Sequence, residues 1–142
     1  MSTFWDRGAW LYDLVERSNR AVNAAAAARV AGLVPKGARV LDCAAGTGEF
    51  SLAAAERAET VLCTDLSLPM LDRARKKAKK RGLTNISFAQ RDITALPDRD
   101  GTFEVVIAAN VLHLLHPVGV DQALLTARDS FGLHSILLSS NI

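Results

Sequence analysis

The residue types best placed to do chemistry are crowded into Val40-Leu41-Asp42-Cys43-Ala44-Ala45-Gly46-Thr47-Gly48-Glu49-Phe50. A carboxylate closes an apolar lead-in of Ala38, Val40 and Leu41, and a run of small residues with glycines at 46 and 48 follows. Glycine permits φ > 0 and lets a ligand approach a backbone that carries no Cβ. Beyond the glycines, Phe50, Leu52, Ala53 and Ala54 set a helical pattern whose first N–H groups face whatever occupies the turn. Strand, small-residue turn and helix in this order predict the nucleotide-binding corner of a doubly wound α/β sheet. Asp42 bears on the charge of the ligand. A pyrophosphate of about two negative charges would be opposed by a carboxylate opening the same loop, whereas a ligand with a cationic end would be favoured.

Two further carboxylates follow predicted strands. Thr60-Val61-Leu62-Cys63-Thr64 ends in Asp65, 23 residues after Asp42 and one strand–helix–strand unit further on. A carboxylate at that tip can accept both hydroxyls of a ribose, or it can cap the next helix. Ile86-Ser87-Phe88-Ala89 leads through Gln90-Arg91 to Asp92 and Ile93. A fourth strand, 103–109, is nearly all apolar, as expected at the centre of a parallel sheet, and ends in Asn110-Val111-Leu112-His113.

The elements that must position these groups are legible from period and punctuation. Helices are predicted over 49–57 and 67–81, the second with Met70, Leu71, Ala74 and Ala78 on one face and Arg73, Lys76, Lys77 and Lys80 on a solvated one, closed by Gly82. Ahead of the first strand, Leu11, Leu14, Val15, Val22, Ala26 and Val30 recur at near-helical spacing, interrupted near Ser18-Asn19, and Gly32 and Pro35 stop the pattern. After Pro117 a helix over 120–127 and a short strand over 135–138 are expected. Residues 1–142 thus read as a single domain, with a helical arm over 1–34 and the α/β core over 38–142.

These strand-tip signals, in this order, resemble the class I S-adenosylmethionine-dependent methyltransferases over about residues 5–117. The resemblance rests on the acidic residue and glycines of Asp42-Cys43-Ala44-Ala45-Gly46-Thr47-Gly48, with Ala44 standing where the family has a first glycine, and on Asp65, Asp92-Ile93 and Asn110. Ser51 falls where a dinucleotide fingerprint wants a third glycine or alanine. The resemblance implies a Rossmann-like, mostly parallel sheet with helices on both faces and S-adenosylmethionine as cofactor. It implies a site of Asp42, Ala44, Gly46 and Gly48 at the methionine end, Asp65 on the ribose, and Leu66, Asp92 and Ile93 around the adenine. Asn110 would serve the methionine end, and the Trp5-Asp6 and Tyr12-Asp13 pattern would bring Tyr12 beside it; packing of the aromatic arm on the sheet is the other reading of Tyr12. Family members carry a Pro-Gly-Gly turn, which here would fall on Phe131-Gly132-Leu133, and a final antiparallel pair of strands. The C-terminal antiparallel strands are therefore expected to be missing, the core incomplete or altered, and the apolar edge Ile136-Leu137-Leu138 open to self-association.

Composition narrows the function. A net charge of +2 gives no push toward nucleic acid or anionic membrane, and no apolar run approaches the length of a membrane span. Three histidines without ligand-like spacing give no metal site, and Cys43 and Cys63 read as inert core thiols in a reducing, cytoplasmic setting. Asn110-Val111-Leu112-His113 departs from the Asn/Asp-Pro-Pro-aromatic turn of base amino-methylating enzymes, and neither cysteine has the Pro-Cys setting of cytosine C5 enzymes. The expectation is methyl transfer to a small-molecule acceptor, with His113 as candidate base or as a packing residue. A cofactor-binding but inactive remnant, or another nucleotide-binding Rossmann-like protein, are the alternatives.

Overall fold

The computed structural model describes Gly8, Leu11, Leu14 and residues 20–92, 103–109 and 135–139. In chain order the elements are α1 (Arg20–Leu33), β1 (Arg39–Asp42), α2 (Glu49–Ala55), β2 (Thr60–Asp65), α3 (Leu68–Lys80), β3 (Ile86–Gln90), β4 (Val105–Ala109) and β5 (Ser135–Ser139). The five strands form one sheet in the order β3-β2-β1-β4-β5, and every pairing is parallel. The parallel Rossmann-like α/β sheet expected from the sequence is therefore present, and β5 stands at one end of the order among the described residues.

Burial on both faces explains the apolar character of the central strands. Val40 pairs in register with Val61 on one side and Val105 on the other. These three pack with Val34, Ala54, Ala55 and Ile107, and with the half-buried Val30 of α1. Leu41, Cys43, Phe103 and Val106 make the core on the opposite face. Cys63 belongs to the first face, against Leu71 and Ala74 of α3. Side chains alternate across a strand, so Cys43 and Cys63 lie on opposite sides of the sheet and cannot bridge. Both are free and buried, and burial pushes the Cys43 thiol up to about 12 and the Cys63 thiol higher still. The reading as inert thiols holds. All three described helices cover the Val40 face; the expectation of helices on the other face falls on residues outside those described.

Strand four starts later than its apolar run predicts, at Val105 and not Phe103. The Glu104 carboxylate accepts from the Arg39 amide at 2.7 Å and from its guanidinium at 2.7 Å, so a side chain replaces a strand carbonyl at this end. Helix α3 starts where Ser67 caps it, its hydroxyl accepting from the Met70 amide. It stops at Gly82 (φ 68), where Gly82 N–H donates to Lys79 and Leu83 N–H to Ala78. This bond pair is the Schellman stop expected of that glycine. The basic face is not wholly solvated: Lys77 reaches Glu49 and Thr47, and Arg75 lies 5.1 Å from the centre of the Phe88 ring. The sequence reading of Lys77 as a solvated residue is corrected accordingly. Its position beside Ala78 on the boundary of the apolar face puts α2 within reach of its long side chain. Among the described residues no helix is long and apolar enough to cross a membrane.

The two positive-φ glycines at helix ends differ in one respect. A Cβ on Gly48 (φ 85) would stand 2.8 Å from the Ala74 Cβ, whereas one on Gly82 would meet nothing within 4 Å. Gly82→Ala is expected to cost only the left-handed backbone, about 1–2 kcal/mol. Gly48→Ala adds overpacking between α2 and α3, for a total of about 2–4 kcal/mol. Urea unfolding of both variants checks the difference; equal losses would mean that the close approach does not constrain Gly48.

Candidate functional site

Because β1, β2 and β3 run parallel, the residues that follow them emerge at one edge of the sheet. Asp42 ends β1, Asp65 ends β2, and Asp92 stands two residues past the end of β3. The strand order reverses direction between β1 and β4, the switch point at which open α/β sheets bind ligands. The turn after β1 carries left-handed residues at alternate positions, Ala44 (φ 52), Gly46 (φ 60) and Gly48 (φ 85). Ala44 thus takes the conformation for which the family pattern has glycine.

Backbone bonds fix this turn from several sides. The Cys43 amide donates to Ile107 in β4, the Ala45 amide to Thr64 in β2, and the Gly48 amide to Ala45. The Gly46 amide donates to Asp65 Oδ2 at 2.8 Å. Asp65 Oδ1 accepts from the Ser67 amide at 2.9 Å, while the cap of α3 is Ser67 itself. Asp65 is therefore no helix cap; it joins the glycine turn to the β2–α3 turn. Leu66, half exposed at 50%, is held by its carbonyl, which accepts from Gln90 Nε2 at 2.8 Å. Asp92 is half-buried.

Asp42 has a different environment. Its carboxyl is buried and accepts from the Ser51 hydroxyl at 2.6 Å. Burial pushes its pKa up to about 7, the Ser51 hydrogen bond opposes that rise, and the nearby Asp65 charge adds to it. The expectation that Asp42 acts on the ligand by its charge must accordingly be read through a buried group and not an exposed one. Sequence reasoning missed Ser51 as a partner and used it only as a departure from a glycine fingerprint. The available signal was a hydroxyl beside Leu52 on a helix packed against the sheet, where a buried polar group needs a partner. Thr64, whose hydroxyl donates to the Asp42 carbonyl at 2.7 Å, was likewise missed. Tyr12, Ile93, Asn110 and His113 lie outside the described residues. Among the described residues no group of His, Cys, Asp and Glu is placed to hold a metal ion.

The family described as "Methyltransferase domain" matches residues 40–130, more than half of the chain. The chain belongs to this family. The match runs past Pro117, where the motif resemblance ends, and the parallel sheet is that of the class I methyltransferase fold. An uncharacterized protein of Mycobacterium tuberculosis is 44% identical over 79 residues, which are 56% of this chain and 28% of that protein. A demethylmenaquinone methyltransferase of Thermus thermophilus is 45% identical over 73 residues, 50% of this chain and 33% of that enzyme. The solved TehB-like methyltransferase of Corynebacterium glutamicum superposes with a TM-score of 0.69 at 22% identity, over 89% of this chain and 68% of that one; this likeness shows the fold. The methyltransferase domain thus spans about a third of the length of the curated relatives it matches.

Two expectations follow for the turn. Asp42 holds its proton more tightly folded than at its ordinary value of 3.8, so its contribution to stability is greatest in acid and falls as pH rises toward about 7. Asp42→Asn keeps an acceptor for Ser51 and should flatten that decline, by an amount of the order of a few kcal/mol across the window. Unfolding free energies measured from pH 4 to 7.5 check it; parallel curves for the two proteins would contradict it. Ala44→Gly removes the left-handed strain and should stabilise the methyltransferase domain by about 0.5–1 kcal/mol after glycine's extra unfolded-state entropy. A fall in thermal midpoint would overturn that expectation.

Proposed function

We propose that this methyltransferase domain binds S-adenosylmethionine at the ends of β1, β2 and β3 and transfers a methyl group to a small-molecule acceptor. The observation that carries the reading is the Gly46 amide, which donates to the protein's own Asp65 at 2.8 Å. In a dinucleotide site the amides of this turn serve a pyrophosphate. Here a carboxylate takes that donor, and Asp42, Asp65 and Asp92 give the edge acidic side chains that suit a cationic ligand.

The residues present fit the cofactor. Each oxygen of a carboxylate has two acceptor sites. The backbone bonds to Asp65 use one on each oxygen, which leaves acceptors for both ribose hydroxyls. Leu66 offers an exposed apolar face for the adenine, and Asp92 an acceptor for its amino group. Ala44, Gly46 and Gly48 bring backbone close to the methionine part, with Asp42 buried behind them. Ile93, Asn110 and Tyr12 take the roles that the family resemblance implies.

Once bound, the cofactor supplies a methyl group already activated by a sulfonium leaving group. The protein's share is then mostly position, worth several kcal/mol of barrier. His113 is the candidate to take a proton from the acceptor. A small-molecule acceptor is supported by relatives that are named for demethylmenaquinone, and by Asn110-Val111-Leu112-His113 in place of the turn of base-methylating enzymes. A cytoplasmic location and an absence of nucleic-acid binding are part of the same reading.

Titration calorimetry tests the proposal. Asp65→Ala should weaken S-adenosylmethionine by about 10- to 100-fold, the worth of charge-assisted bonds to two hydroxyls. Unchanged affinity removes Asp65 from the site, and tighter binding of NAD than of S-adenosylmethionine sinks the whole reading. Methyl release in the presence of acceptor separates an enzyme from a binding domain.

A further inference from the structure

Helix α3 sends one basic side chain back to the glycine turn. Lys77 Nζ donates to Thr47 Oγ1 at 3.1 Å and to Glu49 Oε1 at 3.1 Å. Thr47 is buried and lies between Gly46 and Gly48; Glu49 is the first residue of α2. The Lys77 and Glu49 side chains are 27% and 26% exposed, so the pair is shielded more than an ordinary surface ion pair. Arg81 stands further off, its Nη2 4.0 Å from Glu49 Oε2. Lys76, Lys79 and Lys80, on the same helix, are exposed.

We infer that Lys77 is a positioning residue of the cofactor turn, acting through Thr47. The turn is held from the β2 side by Asp65 on Gly46 and by Thr64 on Ala45. Lys77 supplies a tie from the α3 side, at the residue between the two glycines. With a glycine on either side, Thr47 has neighbours that resist backbone rotation least. A donor fixed on its hydroxyl therefore restrains the segment where restraint from the chain itself is weakest. The charge partner, Glu49, keeps the ammonium from presenting an unbalanced positive charge to a cationic ligand. A lysine on a basic helix is thus separated from its neighbours by what it touches. This inference rests on the proposed cofactor site, and the experiment is arranged to tell the two apart.

Lys77→Met retains the length of the side chain and removes its donors; Lys77→Arg keeps a donor able to reach both oxygens. In calorimetry, Lys77→Met should weaken S-adenosylmethionine about three- to tenfold, the worth of one hydrogen bond. Lys77→Arg should recover most of that loss. In a Thr47→Val background, Lys77→Met should have less than half its effect, because the residue through which it acts is already without its hydroxyl. Affinity within twofold of the parent protein overturns the inference, as does an equal loss in the Thr47→Val background. Amide hydrogen exchange at Gly46, Thr47 and Gly48, measured without cofactor, provides the independent reading. Faster exchange there in Lys77→Met, with exchange in the middle of α3 unchanged, supports the tie even if the parent protein binds no S-adenosylmethionine; unchanged exchange at the turn overturns it.

Discussion

Two backbone amides, those of Gly46 and Ser67, converge on the carboxylate of Asp65, and the ligand edge takes its shape from that convergence. One oxygen fixes the turn after β1 and the other the turn after β2, so a single side chain sets the spacing between neighbouring strand tips. Parallel pairing makes this possible, since both strands end on the same side of the sheet. It also removes the need for a helix cap at Asp65, because Ser67 caps α3. The carboxylate is half-buried, and its two amide bonds organise it before any ligand meets it. Preorganisation of this kind lowers the cost of ordering a site at the moment of binding.

Asp42 and Asp65 are the same residue type at adjacent strand ends, and their surroundings separate them. Asp65 has two amide donors and access to solvent. Asp42 has the Ser51 hydroxyl and full burial, and its carboxyl is pushed up to about 7. Desolvation disfavours the charged form, and one neutral hydroxyl offsets only part of that cost. The two carboxylates also repel one another, which adds to the same shift. A cationic ligand at the turn would favour ionisation of Asp42, whereas an anionic one would oppose it further. The buried member of the pair is thus the one whose charge state answers to its surroundings, while the half-buried member is fixed by its two amide contacts.

The strands were legible because a parallel sheet buries both faces and leaves apolar runs of defined length. Val40-Leu41, Val61-Leu62 and Val105–Ala108 each announce themselves in this way. The acids at their ends were legible as strand tips but not in their contacts. Nothing in the spacing of Asp65 distinguishes acceptance of the Gly46 amide from capping of α3, because both use short bonds near the same turn. Ser51 was misjudged for a related reason: its nine-residue separation from Asp42 spans a turn whose path depends on three left-handed residues. Lys77 was assigned by helical period to the solvated face. Period gives the direction of the Cα–Cβ bond, and a lysine's four methylenes can carry its ammonium back over a helix boundary.

Ala44 shows how much of the turn is imposed by its neighbours. An alanine at φ 52 occupies a region that L-residues enter at a cost of about 1–2 kcal/mol. The residue before it is anchored to Ile107 of β4, and the residue after it to Thr64 of β2. These anchors pull the chain toward strands on opposite sides of β1, so the peptide between them has little choice of path. Glycine would follow that path without strain, but it would bring more conformational freedom to lose on folding. Alanine adds only a methyl group at this position, where the residue is half-buried. What the pattern of glycines encodes at this position is therefore a backbone shape that the sheet enforces, and a small residue suffices once the flanking bonds are in place.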